Sequence, residues 1–170
     1  MKDQITLNRI KLMHPSLRKE VLEMYNQICE ALTGRAICRF SYTLRTYKEQ
    51  NDLYALGRTK PGRIVTHAKG GQSYHNFGLA FDIVLLIDEK GNGKFNKASW
   101  QTNVDFDGDG VHDWFEVVKI CKLYGWEWGG DWKFSDKPHF QKKMGHSVVK
   151  LAALVKAGKV DAATKTYPII

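Results

Sequence analysis

Two segments of the sequence place a histidine close to an aspartate in patterns that could bind a metal. The first is Ser73–Asp82, in which His75 lies in a loop and Asp82 lies inside the apolar run that follows. Side chains alternate along a strand, so Asp82 shares a face with Ala80 and Val84, where an unpaired carboxylate would be costly. Histidine and aspartate both suit zinc, but they also form structural ion pairs. This pair alone leaves both interpretations open.

The second segment, Trp128–Phe140, brings another histidine and another carboxylate. Asp136 precedes His139 by three residues, with Pro138 between them. Proline fixes its own φ and disfavours the helical region for the preceding residue, so the segment is extended or turned. In a straight strand Asp136 and His139 would face opposite sides of the sheet, so a bend is needed to bring them together.

Together the segments give Ser-x-His-x-x-Gly-x-Ala-x-Asp followed by Asp-x-Pro-His. This pattern resembles the LAS-type zinc peptidases of the D-alanyl-D-alanine carboxypeptidase group. Within that group it is most similar to the L-alanyl-D-glutamate endopeptidases of bacteriophage endolysins. The resemblance runs from about Ser41 to Phe140.

The resemblance implies a zinc ion held by His75, Asp82 and His139, with water as the fourth ligand and Asp136 as the general base. Such a zinc ion lowers the pKa of its water to about 7. Arg45 matches an arginine that the family places beside the metal. There it would stabilise an oxyanion or bind a substrate carboxylate; a surface salt bridge is the alternative.

Two further residues are candidates for substrate contacts. Ser73 could bind substrate, orient His75 or only shape its loop. Trp128 belongs to a cluster with Trp126 and Trp132, whose rings could line a substrate groove or pack in the core.

A third motif, residues 105–116, is independent of the first two. Its sequence meets the twelve-position calcium-loop rule, with oxygen ligands at positions 1, 3, 5, 7, 9 and 12 and glycine at position 6. The ligands would be Asp105, Asp107, Asp109, the Val111 carbonyl, Asp113 and Glu116. An acidic turn that caps the following helix is the simpler alternative. No amphipathic helix precedes the motif, so we expect an isolated loop. We expect calcium to order residues 92–113 and thereby shape the groove.

The periodicity predicts an α+β fold, a small antiparallel sheet with flanking helices in a single domain, 1–170, with a catalytic core of about 36–145. A helix is expected over about 17–32, with Ser16 as its N-cap and Gly34 after its end. Thr46 and Glu49 predict a capping box that opens a second helix. The remaining expected elements are strands at 37–42, 79–87, 126–128 and 138–141 and helices from 113 to near 125 and over 148–157.

Composition limits the possible partners. The 26 basic and 18 acidic residues give a net charge of +8, which favours polyanions such as an anionic cell wall. No nucleic-acid reader motif occurs, and the longest apolar run is far shorter than the roughly 20 residues that span a bilayer. Three cysteines without a CxxC spacing do not predict a disulfide framework.

The sequence therefore predicts a zinc peptidase that cleaves an amide bond of the peptidoglycan stem peptide, between L-alanine and D-glutamate. A D-alanyl-D-alanine carboxypeptidase or dipeptidase and a catalytically silent zinc-containing binding module remain as alternatives. We expect a monomer that is made in the cytoplasm without a signal peptide and acts on the wall after release, as an endolysin does.

Overall fold

The computed structural model describes all 170 residues, which form five helices and five strands. The helices are α1 (Gln4–Ile10), α2 (Arg18–Ala31), α3 (Tyr47–Ala55), α4 (Asp113–Leu123) and α5 (Val148–Lys156). The strands are β1 (Ala36–Tyr42), β2 (Ala80–Ile87), β3 (Lys97–Ser99), β4 (Glu127–Trp128) and β5 (His139–Gln141). The predicted α+β class is confirmed. No helix is both long enough and apolar enough to span a membrane.

All five strands form one antiparallel sheet around β2. Strand β1 pairs along one edge of β2, whereas β5 and β3 pair with the two ends of the other edge, and β4 adds to β5. β2 is the longest strand, and its sequence is a nearly continuous apolar run, which suits a central position in the sheet. Asp82 is the one carboxylate within it.

The main core lies on one face of this sheet, where α2 and α4 pack. Phe81 of β2 stacks on Phe40 of β1 at 4.2 Å between ring centroids and on Phe140 of β5 at 5.2 Å. Val84 and Leu86 point to the opposite face, which carries only a small apolar cluster. Asp82 shares that sparsely covered face because side chains alternate along a strand.

Several local predictions agree with the structure. Thr46 and Glu49 form the capping box at the start of α3. Gly125, just after α4, has φ of +77°, the left-handed conformation that glycine adopts without steric cost.

Other local predictions were wrong or incomplete. Ser16 lies inside a 3-10 turn that precedes α2, and His14 caps that turn instead. Gly34 is not a left-handed cap: its Cα faces Asp107, where an added Cβ would lie 2.4 Å from the Asp107 Cβ. The helix α1 and the strand β3 were not predicted, since both are short and depend on tertiary contacts.

Candidate metal centre and catalytic cleft

Sheet pairing and one short turn bring the three predicted zinc ligands together. Asp82 on β2 lies directly opposite His139 on β5 in the strand register. His75 belongs to the 3-10 turn Tyr74–Phe77, which leads into β2. The turn ends at Gly78, whose φ of +68° redirects the chain. The turn and the strand that follows it therefore meet β5, which lies far away in sequence.

The ligand atoms have the spacing that a tetrahedral ion requires. His75 Nε2 lies 3.2 Å from Asp82 Oδ1 and 3.2 Å from His139 Nδ1, and His139 Nδ1 lies 3.1 Å from Asp82 Oδ1. Ligands at bonds of about 2.0–2.2 Å and tetrahedral angles stand roughly 3.3–3.6 Å apart. The cluster thus fits a zinc ion with only slight expansion.

The hydrogen bonding of His75 shows which of its nitrogens is available. Its Nδ1 lies 2.7 Å from the backbone carbonyl of Thr43, which can only accept, so Nδ1 carries the proton. The lone pair of Nε2 then faces Asp82 and His139. A lone pair aimed at a carboxylate oxygen is unfavourable unless a cation or a proton lies between them, so the donor set itself fits a metal.

The charges of the cluster shift the pKa values of Asp82 and His139 in opposite directions. Burial alone would raise the pKa of Asp82, but the two imidazoles outweigh it and hold that pKa well below its ordinary range. Burial alone would lower the pKa of His139, but the hydrogen bond and charge of Asp82 outweigh it and raise that pKa. Asp82 therefore stays ionised and available as a ligand.

The bend required between Asp136 and His139 is a hydrogen-bonded turn. The His139 amide donates to the Asp136 carbonyl at 3.1 Å, and the Asp136 amide donates to the Gly129 carbonyl at 2.9 Å. Gly129 is needed at this crossing because a Cβ there would lie 2.4 Å from the Asp136 carbonyl oxygen. Asp136 thereby lines the same cleft as the three ligands, and desolvation there raises its pKa.

Arg45 reaches the cleft from the loop after β1. One guanidinium nitrogen donates to Gln50 at 2.9 Å, and another lies 3.6 Å from Asp82 Oδ2. The plane stacks over the Tyr42 ring at 4.5 Å from its centroid. The Nε atom is buried and has no hydrogen-bond partner. A guanidinium that lines the cleft beside Asp82 fits a role towards a substrate oxygen better than a surface salt bridge does.

Ser73 acts on the turn that carries His75. Its hydroxyl accepts from the His75 amide at 3.4 Å, and the Asn76 side chain accepts from the Ser73 amide at 3.3 Å. This reciprocal capping supports the interpretation that Ser73 orients His75. Ser73 also lines the cleft.

The tryptophans divide between the core and the cleft. Trp126 and Trp128 are buried, and Trp128 does not line the cleft, which corrects the expectation that it contacts substrate. Its indole Nε1 instead donates to the Lys137 carbonyl at 2.7 Å and so supports the turn before His139. Trp132 and Trp100 line the cleft, which has a volume of about 620 Å³. Nothing in the sequence around Trp100 indicated this position.

The acidic motif forms a loop over residues 105–112 and the first turn of α4, and it shares no residue with the histidine cluster. The side-chain oxygens of Asp105, Asp107 and Asp113 lie within 4.8 Å of one another, as do those of Asp107, Asp109 and Glu116. Gly110, at position 6 of the motif, has φ of +91°. The two groups share Asp107.

Two carboxylates of this motif each have a buried oxygen without a hydrogen-bond partner. Asp113 is 0% exposed; its Oδ1 accepts from the Phe106 amide, but its Oδ2 has no partner. The Oε2 atom of Glu116 likewise has none. Burial and the neighbouring carboxylates raise the pKa of Asp113 to about 6 and that of Glu116 to about 7. A cation bound among these carboxylates would offset their burial and their mutual repulsion.

Comparisons with known proteins point to the same site. The family model described as D-alanyl-D-alanine carboxypeptidase matches residues 66–142, which include all three ligands and Asp136. The peptidoglycan L-alanyl-D-glutamate endopeptidase CwlK of Bacillus subtilis (strain 168) is 51% identical over 98 residues. That match covers 57% of this chain and 55% of CwlK, so the chain spans about half the length of this relative. The peptidases that this family model describes are zinc-dependent, and the part of the chain that carries the site is similar to them.

Proposed function

We propose that this protein is a zinc-dependent peptidoglycan hydrolase that cleaves the stem peptide between L-alanine and D-glutamate. The observation that carries the proposal is the convergence of His75 Nε2, Asp82 Oδ1 and His139 Nδ1 within 3.2 Å, in a cleft that also contains Asp136 and Arg45. Three protein ligands leave a fourth position open, which is the arrangement of catalytic zinc sites.

The residues of the cleft can carry out the proton transfers of amide hydrolysis and stabilise the negative charge that develops on the carbonyl oxygen. When bound, zinc would supply Lewis-acid polarisation of the carbonyl and acidify the attacking water. Asp136 accepts the proton of that water and delivers it to the leaving amine, and its raised pKa suits both directions of transfer. The guanidinium of Arg45, which lines the cleft, would stabilise the oxygen on which negative charge develops.

The choice of scissile bond rests on the relative. CwlK is named as an L-alanyl-D-glutamate endopeptidase, whereas the family model carries the name of a carboxypeptidase. The metal ligands serve either activity, because the attack on the carbonyl is the same. The identity of 51% to CwlK over 98 residues favours the endopeptidase.

Digestion of purified sacculi by the zinc-loaded protein tests the proposal, with mass spectrometry of the released fragments. New amino termini on D-glutamate are the expected result, and the His139→Ala variant should release none. Free D-alanine or D-alanyl-D-alanine would move the protein to the carboxypeptidase or dipeptidase branch. Zinc binding without any product would support the silent binding module.

We also propose that the protein acts as an endolysin, as a monomer at the cell wall. The motifs resemble those of endolysins, and every residue of the cleft comes from one chain. The net charge of +8 would favour contact with an anionic wall. Expression in bacteria together with a membrane-permeabilising protein should then cause lysis, whereas the enzyme alone should not. Lysis without permeabilisation would contradict release as the controlling step, and light scattering checks the monomer.

We propose, as a second metal of this protein, a calcium ion in the loop 105–116. The support is Asp113: its side chain is fully buried, its Oδ2 has no partner, and its carboxylate belongs to the group formed with Asp105 and Asp107. Calcium takes six to eight oxygen ligands at about 2.3–2.6 Å, and a divalent cation would offset the crowding of the carboxylates. The ordered loop would in turn fix the segment after β3, where Trp100 lines the cleft.

Calorimetric titration with calcium chloride tests this second site. The Glu116→Gln variant should bind calcium about 10–100-fold more weakly, since it loses a charged ligand. The Glu89→Gln variant is the matched control, because Glu89 is an exposed acid of a different turn. Equal affinity in Glu116→Gln and wild type would contradict the site.

A further inference from the structure

A chain of three hydrogen-bonded side chains runs from the surface to His139. The Nε2 atom of His139 lies 3.1 Å from Oε1 of Gln141, and both residues are buried. They lie two residues apart on β5 and so project from the same face. The amide nitrogen of Gln141 lies 3.1 Å from Oε2 of Glu127, the residue directly opposite it on β4. The ammonium of Lys143 lies 3.0 Å from the other oxygen of Glu127.

The acceptor-only chemistry of a carboxylate fixes the direction of this chain. An ionised Glu127 has no proton to donate, so the NH₂ group of Gln141 must point towards it. The carbonyl oxygen of Gln141 then points towards His139. Since that oxygen can only accept, Nε2 of His139 must carry the proton. The lone pair of His139 is consequently left on Nδ1, the atom that faces Asp82 and His75.

We propose that Glu127 and Gln141 are positioning residues that select the His139 tautomer able to bind metal through Nδ1. This inference rests on the proposed zinc site. His75 reaches the opposite state by simpler means, because the Thr43 carbonyl fixes its proton on Nδ1 and leaves Nε2 for the metal. The two imidazoles thus present different nitrogens to one carboxylate, and each needs its own acceptor. Without Glu127 the Gln141 amide is free to rotate, and in the rotated form its NH₂ donates to Nε2 and moves the proton to Nδ1.

Zinc affinity measured by competition with a chromogenic chelator tests the role of the chain. Removing an outer hydrogen-bond partner of a metal-bound histidine costs about 10–100-fold in metal affinity, and we expect that loss for Gln141→Leu. The double variant Glu127→Gln with Gln141→Glu reverses the two groups. A carboxylate at 141 still accepts from His139 Nε2 and from the new amide, so this variant should bind zinc within about threefold of wild type. Gln27→Leu, which removes an exposed amide on α2, is the control and should not change affinity.

A second measurement separates this inference from the proposed function. Long-range ¹H–¹⁵N NMR of the metal-free wild type, at a pH where the imidazoles are neutral, reports the tautomers directly. We expect the proton of His139 on Nε2 and that of His75 on Nδ1. A His139 proton on Nδ1 would overturn the inference, as would a folded Gln141→Leu variant with unchanged zinc affinity. Failure of the wild type to bind zinc would contradict the proposed function. The tautomer of His139 in the metal-free protein would still be measured independently by NMR.

Discussion

The two candidate metal sites of this protein are assembled in opposite ways. The His75–Asp82–His139 cluster joins a turn and two strands that are up to 64 residues apart in sequence, and two of its three members are buried. The loop 105–116 is one continuous segment whose candidate ligands are all oxygens and whose first half contains no buried residue. The residues of the first cluster come together only when the sheet folds, whereas those of the second are close in sequence.

This difference predicts different chemistry and different dependence on the fold. Mixed nitrogen and oxygen ligands with an open fourth position suit catalytic zinc, whereas many oxygens suit calcium. A centre assembled by strand register has its geometry set by the whole sheet. A continuous loop depends on its own turns and on its immediate neighbours.

Loss of one zinc ligand is the largest effect that we expect. His75→Ala should lower zinc affinity by more than about a hundredfold, beyond the cost of losing an outer partner, and should abolish hydrolysis of sacculi. Calcium affinity should not change, because the loop shares no ligand with the cluster. Chelator competition and calorimetry measure the two metals separately. A parallel loss of calcium binding would show that the regions are not independent.

Replacing Asp136 separates metal binding from proton transfer within the first region. Asp136→Asn keeps the size of the side chain but cannot accept the proton of water, so the rate of hydrolysis should fall by about 10²–10⁴-fold. Zinc affinity should stay within about threefold, since Asp136 lies outside the three ligands. Unchanged hydrolysis by this variant would exclude Asp136 as the base.

Calcium should stabilise the second region and the protein with it. At a free calcium concentration about a hundred times the Kd, binding contributes about 2.7 kcal/mol, which corresponds to a rise in Tm of about 5–10 °C at this chain length. The rise should persist in His75→Ala and shrink in Glu116→Gln. Calorimetry with magnesium in place of calcium checks that the effect is not one of ionic strength.

Gly34→Ala tests how far the loop relies on its neighbour. A Cβ at this position would meet the Asp107 Cβ at 2.4 Å, and the Thr33 amide already donates to Asp107. The crowding should cost about 1–3 kcal/mol of unfolding free energy and weaken calcium binding while zinc affinity remains unchanged. A fully stable variant with normal calcium affinity would show that the loop adjusts without cost.

A change far from both regions gives the smallest effect and a scale for the others. Asp3 caps α1 and accepts two hydrogen bonds from Arg39, so Asp3→Asn should cost about 1–2 kcal/mol. Burial alone would raise the pKa of Asp3, but the bonds from Arg39 and Thr6 outweigh it and lower that pKa. This stabilisation is present above the unfolded-state pKa of about 3.9 and is lost as pH falls through the lower folded value.

Urea denaturation at pH 6 and at pH 2 measures the Asp3 contribution. The free energy of unfolding of wild type should exceed that of Asp3→Asn at pH 6, and the difference should shrink at pH 2. A difference that is independent of pH would mean that the charge of Asp3 contributes nothing.

The elements that the sequence predicted are those with strong local signals. The Thr46–Glu49 capping box, the apolar run of β2 and the glycine after α4 were all recognisable because each acts within a few residues. The elements that were missed have no such signal. Strand β3 has only three residues and forms by pairing with the edge of β2. The N-cap of α1 is Asp3, which forms an ion pair with Arg39 of β1.

The sequence by itself determined the types of ligand, because histidine and aspartate spacing and the twelve-residue acidic motif are local properties. Only the tertiary structure decided how they are used. Register between β2 and β5 places Asp82 opposite His139, and the turn at Asp136 places that carboxylate in the cleft. Burial in the core keeps Trp128 out of the cleft. Residues such as Gln141 and Glu127 acquire a role only through pairing across strands, since a hydrogen bond between distant segments depends on packing that no local pattern encodes.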